Sequence, residues 1–202
     1  MTPKAQPTCS QRYEVRFSGS GGQGLITAAV IFAEAVGIHT DKYVCQTQSY
    51  GPEARGGKSK AEVVVSSRPI DYPKAIELDL LLAMNQAACD AYFYDLKPSG
   101  LLVVDSTLVE QYPTSRIIPV PFTDLARHTI GREVVANMVA LGTIGYLSQQ
   151  VPLAKLVQAL RNRVPRGTED LNEQAFQLGV EEGKKINLNE LPRAVLNDED
   201  EM

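Results

Sequence analysis

An α/β fold is predicted by three observations on the sequence. Short apolar runs with strand character alternate with helical segments in the first 120 residues, and helical patterns crowd the remainder. A glycine-rich turn, Gly19-Ser20-Gly21-Gly22-Gln23-Gly24, stands between a strand pattern and a helix pattern. The runs Leu78–Met84 and Leu101–Val104 are nearly continuous in apolar residues, as in parallel strands buried on both faces. The expected architecture is a three-layer α/β/α sandwich with a mixed, mostly parallel sheet and a helical C-terminal third.

Each element follows in order. Met1–Gln11 is polar with two prolines and is expected to be disordered. Arg12–Ser18 alternates polar and apolar residues and reads as a strand with one wetter face. Leu25–Val36 is apolar almost all round, which predicts a buried helix that Gly37 stops. Lys42–Thr47 reads as a second strand, Gln48–Gly57 as a Gly-rich loop and Lys58–Ser66 as a third strand. The link between these strands is too short for a crossover helix, so the pair should be antiparallel. Arg68–Pro73 is a turn-rich crossing segment leading to the strand Leu78–Met84. Asn85 can cap a helix over Gln86–Leu96. Lys97-Pro98-Ser99-Gly100 reads as a turn, and Arg116–Val120 as a last strand. Helices are expected over Phe122–His128, Glu133–Gln149, Leu153–Asn162 and Glu169–Lys185. Residues 12–190 form one expected domain, followed by an acidic, disordered tail over 191–202.

Composition narrows the function. The chain has 202 residues and a net charge of −4, and the acids of Asp198-Glu199-Asp200-Glu201 account for that excess. The body is neutral, which argues against a nucleic-acid binder. No apolar run approaches the ~20 residues of a membrane helix. Met1–Ser10 has no apolar stretch of a secretory signal. Cys9, Cys45 and Cys89 are widely spaced and form no CxxC pair, so no metal site on this chain is expected, and a reducing cytoplasm fits. His39 and His128 stand alone and read as surface or satisfied residues.

Two loops carry the candidate chemistry. Gly19, Gly21 and Gly24 satisfy GxGxxG, and the first amides of the following helix make an anion site. The alternative reading is that the same glycines merely let the helix pack on the strand, and the intact strand–loop–helix context favours the anion site over it. A dinucleotide site wants an acid at the end of the second strand. Val44-Cys45-Gln46-Thr47-Gln48 has none, and Asp41 lies at the wrong end. A phosphate loop fails too, because a strand follows Gly57-Lys58-Ser59. In the second loop, Ser49-Tyr50-Gly51-Pro52-Glu53-Ala54-Arg55-Gly56-Gly57, the fork of Arg55 stands between small residues and can reach a phosphate or a carboxylate. Asn85, Asp105 and Ser106 lie at strand ends, with cap or turn roles favoured. Cys89 reads as a small core residue, and Gly142 and Gly145 as points of close helix approach, within the chain or to another subunit. No acid/base pair or nucleophile motif points to catalysis by this chain.

Taken together, Gly19-x-Gly21-Gly22-Gln23-Gly24 and Ser49-Tyr50-Gly51-Pro52-Glu53-Ala54-Arg55-Gly56-Gly57 resemble the gamma subunits of 2-oxoacid:ferredoxin oxidoreductases. Asn137-Met138-Val139-Ala140-Leu141-Gly142 also resembles a family segment. The short separate chain looks most like the gamma subunit of the 2-oxoglutarate enzymes. The resemblance implies a complex with alpha, beta and ferredoxin-like delta chains. Such a complex converts a 2-oxoacid and coenzyme A to acyl-CoA and CO2 and passes electrons to ferredoxin. Thiamine diphosphate, magnesium and iron–sulfur clusters are then held by the other chains. The site residues so implied are Gly19, Gly21, Gly22, Gln23, Gly24, Ser49, Tyr50, Arg55, Gly56 and Gly57. Two alternatives are a free-standing nucleotide-dependent oxidoreductase and a non-redox module that binds a small ligand.

Overall fold

The computed structural model describes residues 12–50 and 58–192. The strands are β1 (Arg12–Ser20), β2 (Tyr43–Tyr50), β3 (Lys58–Ser66), β4 (Leu78–Ala83), β5 (Leu96–Asp105) and β6 (Ile117–Val120). The helices are α1 (Leu25–His39), α2 (Gln86–Tyr92), α3 (Phe122–Leu125), α4 (Ala136–Ser148), α5 (Leu153–Arg163) and α6 (Glu169–Lys184). The sheet order is β2-β3-β1-β4-β5-β6. β1, β4, β5 and β6 run parallel, while β3 is antiparallel to both β1 and β2. The mixed sheet and the antiparallel β2–β3 pair expected from the short link are both present.

One face of the sheet, through Val15, Phe17, Leu80, Leu82 and Val103, packs on α1 and α4–α6. The other, through Leu81, Ala83, Leu102 and Val104, packs on Ala88 and Cys89 of α2. The layers follow from strand pattern: β4 is apolar on both sides and is covered on both, as two-sided burial requires. α4 is buried almost throughout and meets α6 backbone to backbone. A Cβ on Gly142 would lie 2.0 Å from the Phe176 carbonyl oxygen, and one on Gly179 would lie 1.8 Å from that of Val139. The Thr143 hydroxyl donates to the Gly179 carbonyl at 2.8 Å across the same seam. Gly142 and Gly145 therefore serve packing inside the chain.

Several boundaries differ from expectation: Ser49 and Tyr50, expected on the second loop, end β2, and the expected helix Phe122–His128 is an α-helix only to Leu125. α1 runs through Gly37 to His39, and Thr40 ends it by donating its amide (3.1 Å) and hydroxyl (2.7 Å) to the Val36 carbonyl. Gly37 is kept for contact instead: a Cβ there would lie 2.8 Å from Val44 Cγ1. Lys97–Gly100 is a bulge within β5, because the register slips between Leu78↔Leu96 and Leu80↔Leu101. The expected helix Gln86–Leu96 stops at Tyr92 and closes with a 3-10 turn, Phe93–Asp95. The crossing segment after β3 is fastened to β1. Glu14 accepts from the amides of Ile76 (2.6 Å) and Glu77 (2.9 Å), and Arg12 donates to the carbonyls of Tyr72 and Lys74.

Candidate functional site

β1 and β4 are adjacent and parallel, and their following helices leave to opposite faces: α1 toward one core cluster, α2 toward the other. The crevice at their C-terminal ends is a topological switch point, the usual ligand edge of an α/β sheet. The glycine loop fills its mouth. Asn85 caps α2 by accepting from the Ala88 amide at 2.8 Å and donates to Ser20 Oγ at 2.5 Å, which bridges the crevice. The Gln23 carboxamide turns inward. Its Oε1 accepts from the Ser20 amide at 2.7 Å, and its Nε2 donates to the Met84 carbonyl at 3.4 Å.

Each glycine of the loop now has a distinct meaning. A Cβ on Gly19 would lie 2.3 Å from Gln23 Oε1, so the space is taken by the inward-turned carboxamide. Gly24 sits at φ 71°, a left-handed start for α1, and its carbonyl accepts from Asn137 Nδ2 at 3.0 Å. Gly22 also has positive φ, 93°, and it and Gly21 are exposed with no atom within 4 Å of a built Cβ. The Ser20 amide and the Gly24 carbonyl of the loop are thus satisfied internally. The exposed tip and the uncapped start of α1 remain open. A cleft of about 300 Å³ lies beside them, lined by Gly22, Gln23, Met84, Thr123, Glu133, Val134 and Ala136.

The second loop is rooted at the same edge. Ser20 is the register partner of Lys58, and Tyr50 that of Ser59, so residues 51–57 leave and rejoin the sheet where the glycine loop leaves it. Ser49 is exposed, opposite Lys60. Arg55, Gly56 and Gly57 lie outside the described residues.

The dinucleotide alternative has no place in this topology. In that fold the strand beside the first one runs parallel and offers the ribose acid. Here antiparallel β3 occupies that side of β1, and β2 lies beyond it. Asp105 and Cys89 are structural, as expected. Asp105 is buried and accepts from the Thr107 amide (3.1 Å), the Thr123 amide (3.2 Å) and the Thr123 hydroxyl. Burial, then the nearby Asp90 charge, pushes the Cys89 thiol up to about 11, so it stays protonated and inert. Among the described residues no group of three or more His, Cys, Asp or Glu side chains could hold a metal ion.

Sequence reasoning passed over one buried ionic cluster. Arg16, 2% exposed, pairs with Glu62 at 2.7 Å and with Asp95. Lys60 also reaches Glu62, at 2.8 Å, and the Tyr92 ring centre lies 5.0 Å from the Arg16 guanidinium carbon and 5.4 Å from Lys60 Nζ. Burial works to raise the Glu62 carboxyl, but hydrogen bonds and charge from Lys60 and Arg16 outweigh it and hold the group below the usual carboxylate value. The cluster fixes β3, and with it the root of the second loop, against β1 and the turn before β5. Its signal was the alternation of Arg12, Glu14 and Arg16 on one strand and Lys58, Lys60 and Glu62 on another.

The comparisons with known proteins are consistent from end to end. The pyruvate ferredoxin/flavodoxin oxidoreductase family profile matches residues 14–182. The 2-oxoglutarate synthase subunit KorC of Methanocaldococcus jannaschii is 44% identical over 179 residues, covering 87% of this chain and 96% of that one. A keto/oxoacid ferredoxin oxidoreductase gamma subunit from Geobacter sulfurreducens superposes with a TM-score of 0.79 at 46% identity, covering 87% and 98% of the two chains. The 2-oxoglutarate:ferredoxin oxidoreductase of Magnetococcus marinus, at 22% identity, shares the fold with a TM-score of 0.78; this chain covers 34% of it. The mixed sheet, the glycine loop at its switch point and these matches together place the chain in the pyruvate ferredoxin/flavodoxin oxidoreductase family, among the subunits of 2-oxoacid:ferredoxin oxidoreductases.

Proposed function

We propose that this chain is the gamma subunit of a cytoplasmic 2-oxoglutarate:ferredoxin oxidoreductase. The observation that carries the reading is similarity over nearly the full length of separate KorC and gamma-subunit chains, at 44% and 46% identity. Alpha, beta and ferredoxin-like delta chains are the partners, and ferredoxin accepts the electrons. The other chains hold thiamine diphosphate, magnesium and the iron–sulfur clusters. Among the described residues no helix is long and apolar enough to cross a membrane.

The contribution of this chain is binding at the shared loop edge. Gly21 and Gly22 present open backbone there, and the 51–57 loop adds Arg55 with Gly56 and Gly57. A guanidinium and exposed amides suit the phosphates of coenzyme A. Gln23 holds the glycine loop in shape, and Asn85 ties it to α2. Reaction of the purified complex with 2-oxoglutarate, pyruvate and branched 2-oxoacids, with and without this chain, tests the reading. Coenzyme A-dependent ferredoxin reduction should need the chain and should be fastest with 2-oxoglutarate. Full activity without the chain, or a strong preference for another oxoacid, would overturn it.

A further inference from the structure

Three neutral carboxamides hold the glycine loop. Gln23 accepts from the Ser20 amide at 2.7 Å and Asn85 donates to Ser20 Oγ at 2.5 Å, both where the loop leaves β1. Asn137 acts at the other end, where the loop enters α1. It stands on the first turn of α4, 7% exposed, and its Nδ2 donates to the Gly24 carbonyl at 3.0 Å, 113 residues away in sequence. That carbonyl also accepts the first helical bond of α1, from the Ala28 amide at 3.1 Å. A Cβ on Gly24 would lie 2.4 Å from Asn137 Nδ2, so the carboxamide lies against the loop backbone.

α4 is a stiff support for this contact. It is buried almost throughout and interlocked with α6 at Gly142 and Gly179. Its first residue, Ala136, and the preceding turn residues Glu133 and Val134 line the cleft together with Gly22 and Gln23. Asn137 therefore joins the two parts of the chain that build the cleft. Gly24, at φ 71°, has no side chain to cap α1, so the direction of the helix start is set from outside the loop. A carboxamide makes this link without bringing a negative charge to a helix start that favours anions. The carboxylate that does line the cleft, Glu133, is paired with Arg127 at 2.8 Å.

We propose that Asn137 is a positioning residue for coenzyme A binding, setting the angle at which the glycine tip, Gly21–Gly22, is presented. This rests on the coenzyme A reading of the loop edge given above. Facing a carbonyl oxygen, position 137 needs a donor. An ionised aspartate has none and would repel that oxygen. A protonated aspartic acid has the shape of asparagine and one O–H to donate. Burial favours the protonated form, so a carboxyl placed there would titrate above its ordinary value.

Steady-state kinetics of the assembled complex with Asn137→Ala and Asn137→Asp tests this, with size-exclusion chromatography as the check on assembly. Asn137→Ala should raise the KM for coenzyme A about 2- to 12-fold, the worth of one neutral hydrogen bond, and leave kcat and the KM for 2-oxoglutarate unchanged. Asn137→Asp should show at least the same deficit in mildly alkaline buffer. Measured against the unaltered complex at each pH, that deficit should shrink as acid protonates the new carboxyl. Loosened packing alone would not reverse with protonation, so a deficit that ignores pH overturns the proposal. An unchanged coenzyme A constant in both variants also overturns it. If Arg55→Ala raises that constant, only the positioning role falls; if Arg55→Ala leaves it unchanged too, the coenzyme A reading falls with it. Hydrogen exchange of the full chain reads the loop without any ligand: Asn137→Ala should quicken exchange across Gly21–Ala28 and leave β4 unchanged. Uniform quickening, or none, contradicts the proposal.

Discussion

Arg55 and Arg16 should behave oppositely when altered. Arg55 lies in the loop proposed to face coenzyme A. Losing a charge-assisted phosphate contact of roughly 1.5–3 kcal/mol weakens binding about 10- to 150-fold. Arg55→Ala should therefore raise the apparent KM for coenzyme A within that range and leave the KM for the oxoacid alone. Arg55→Lys should recover only part, because an ammonium lacks the bidentate fork. Steady-state kinetics with size-exclusion chromatography checks this; an intact complex with an unchanged coenzyme A constant rejects the ligand role. Arg16 is buried against Glu62, so Arg16→Ala should cost about 3 kcal/mol in urea unfolding by leaving the buried Glu62 carboxylate with Lys60 alone, while the part-exposed Asp95 turns to water. The Arg16→Met, Glu62→Leu pair should lose less than the sum of its single changes. Glu62 gives this cluster a pH dependence. Its carboxyl lies below the usual 4.5 when folded, so its contribution is full above that value and is lost as the pH falls through the folded value. Replacing Glu62 with Gln should flatten the fall in stability on the acid side of pH 4.5, read from urea midpoints across that range.

At the scale of elements, the decisive contacts are backbone against backbone. Gly142 and Gly179 interlock α4 and α6, where a single methyl would meet a carbonyl oxygen at 2.0 or 1.8 Å. Gly142→Ala or Gly179→Ala must push the helices apart, at a cost of about 1–3 kcal/mol or more. Gly21→Ala meets open space and should leave the thermal midpoint unchanged. Calorimetry on the three variants checks the contrast; equal effects would mean that the α4–α6 seam is looser than described. The same elements show what local sequence could reveal. The alternation in β1, the apolar run of β4 and the Asn85 cap act through neighbours a few residues away and were legible. Gly37 and Lys97–Gly100 were misread because their local stop and turn signals yield to partners far along the chain, Val44 for one and Leu78–Leu80 for the other. The Arg16 cluster was hidden for a related reason: its partners are 46 and 79 residues away, and only the strand order brings them together.

Across the whole molecule, topology decides function more than any single motif. GxGxxG alone is compatible with a dinucleotide site. The antiparallel strand beside β1 and the inward-turned Gln23 remove that use and leave an exposed loop edge. Both loops were legible as glycine-rich segments, and their shared edge became visible only through the pairs Ser20↔Lys58 and Tyr50↔Ser59. The acidic end Asp198–Met202 has no apolar companion, so its deletion should leave the melting temperature nearly unchanged; a large drop would show that it docks. The central claim is membership of a multi-subunit oxidoreductase, and mass spectrometry of the chains that co-purify with this one from native cells tests it most directly. Alpha, beta and ferredoxin-like chains in a fixed ratio, with 2-oxoglutarate-dependent ferredoxin reduction in the same fraction, are the expected result. Recovery of this chain alone, with that activity in other fractions, would contradict the account.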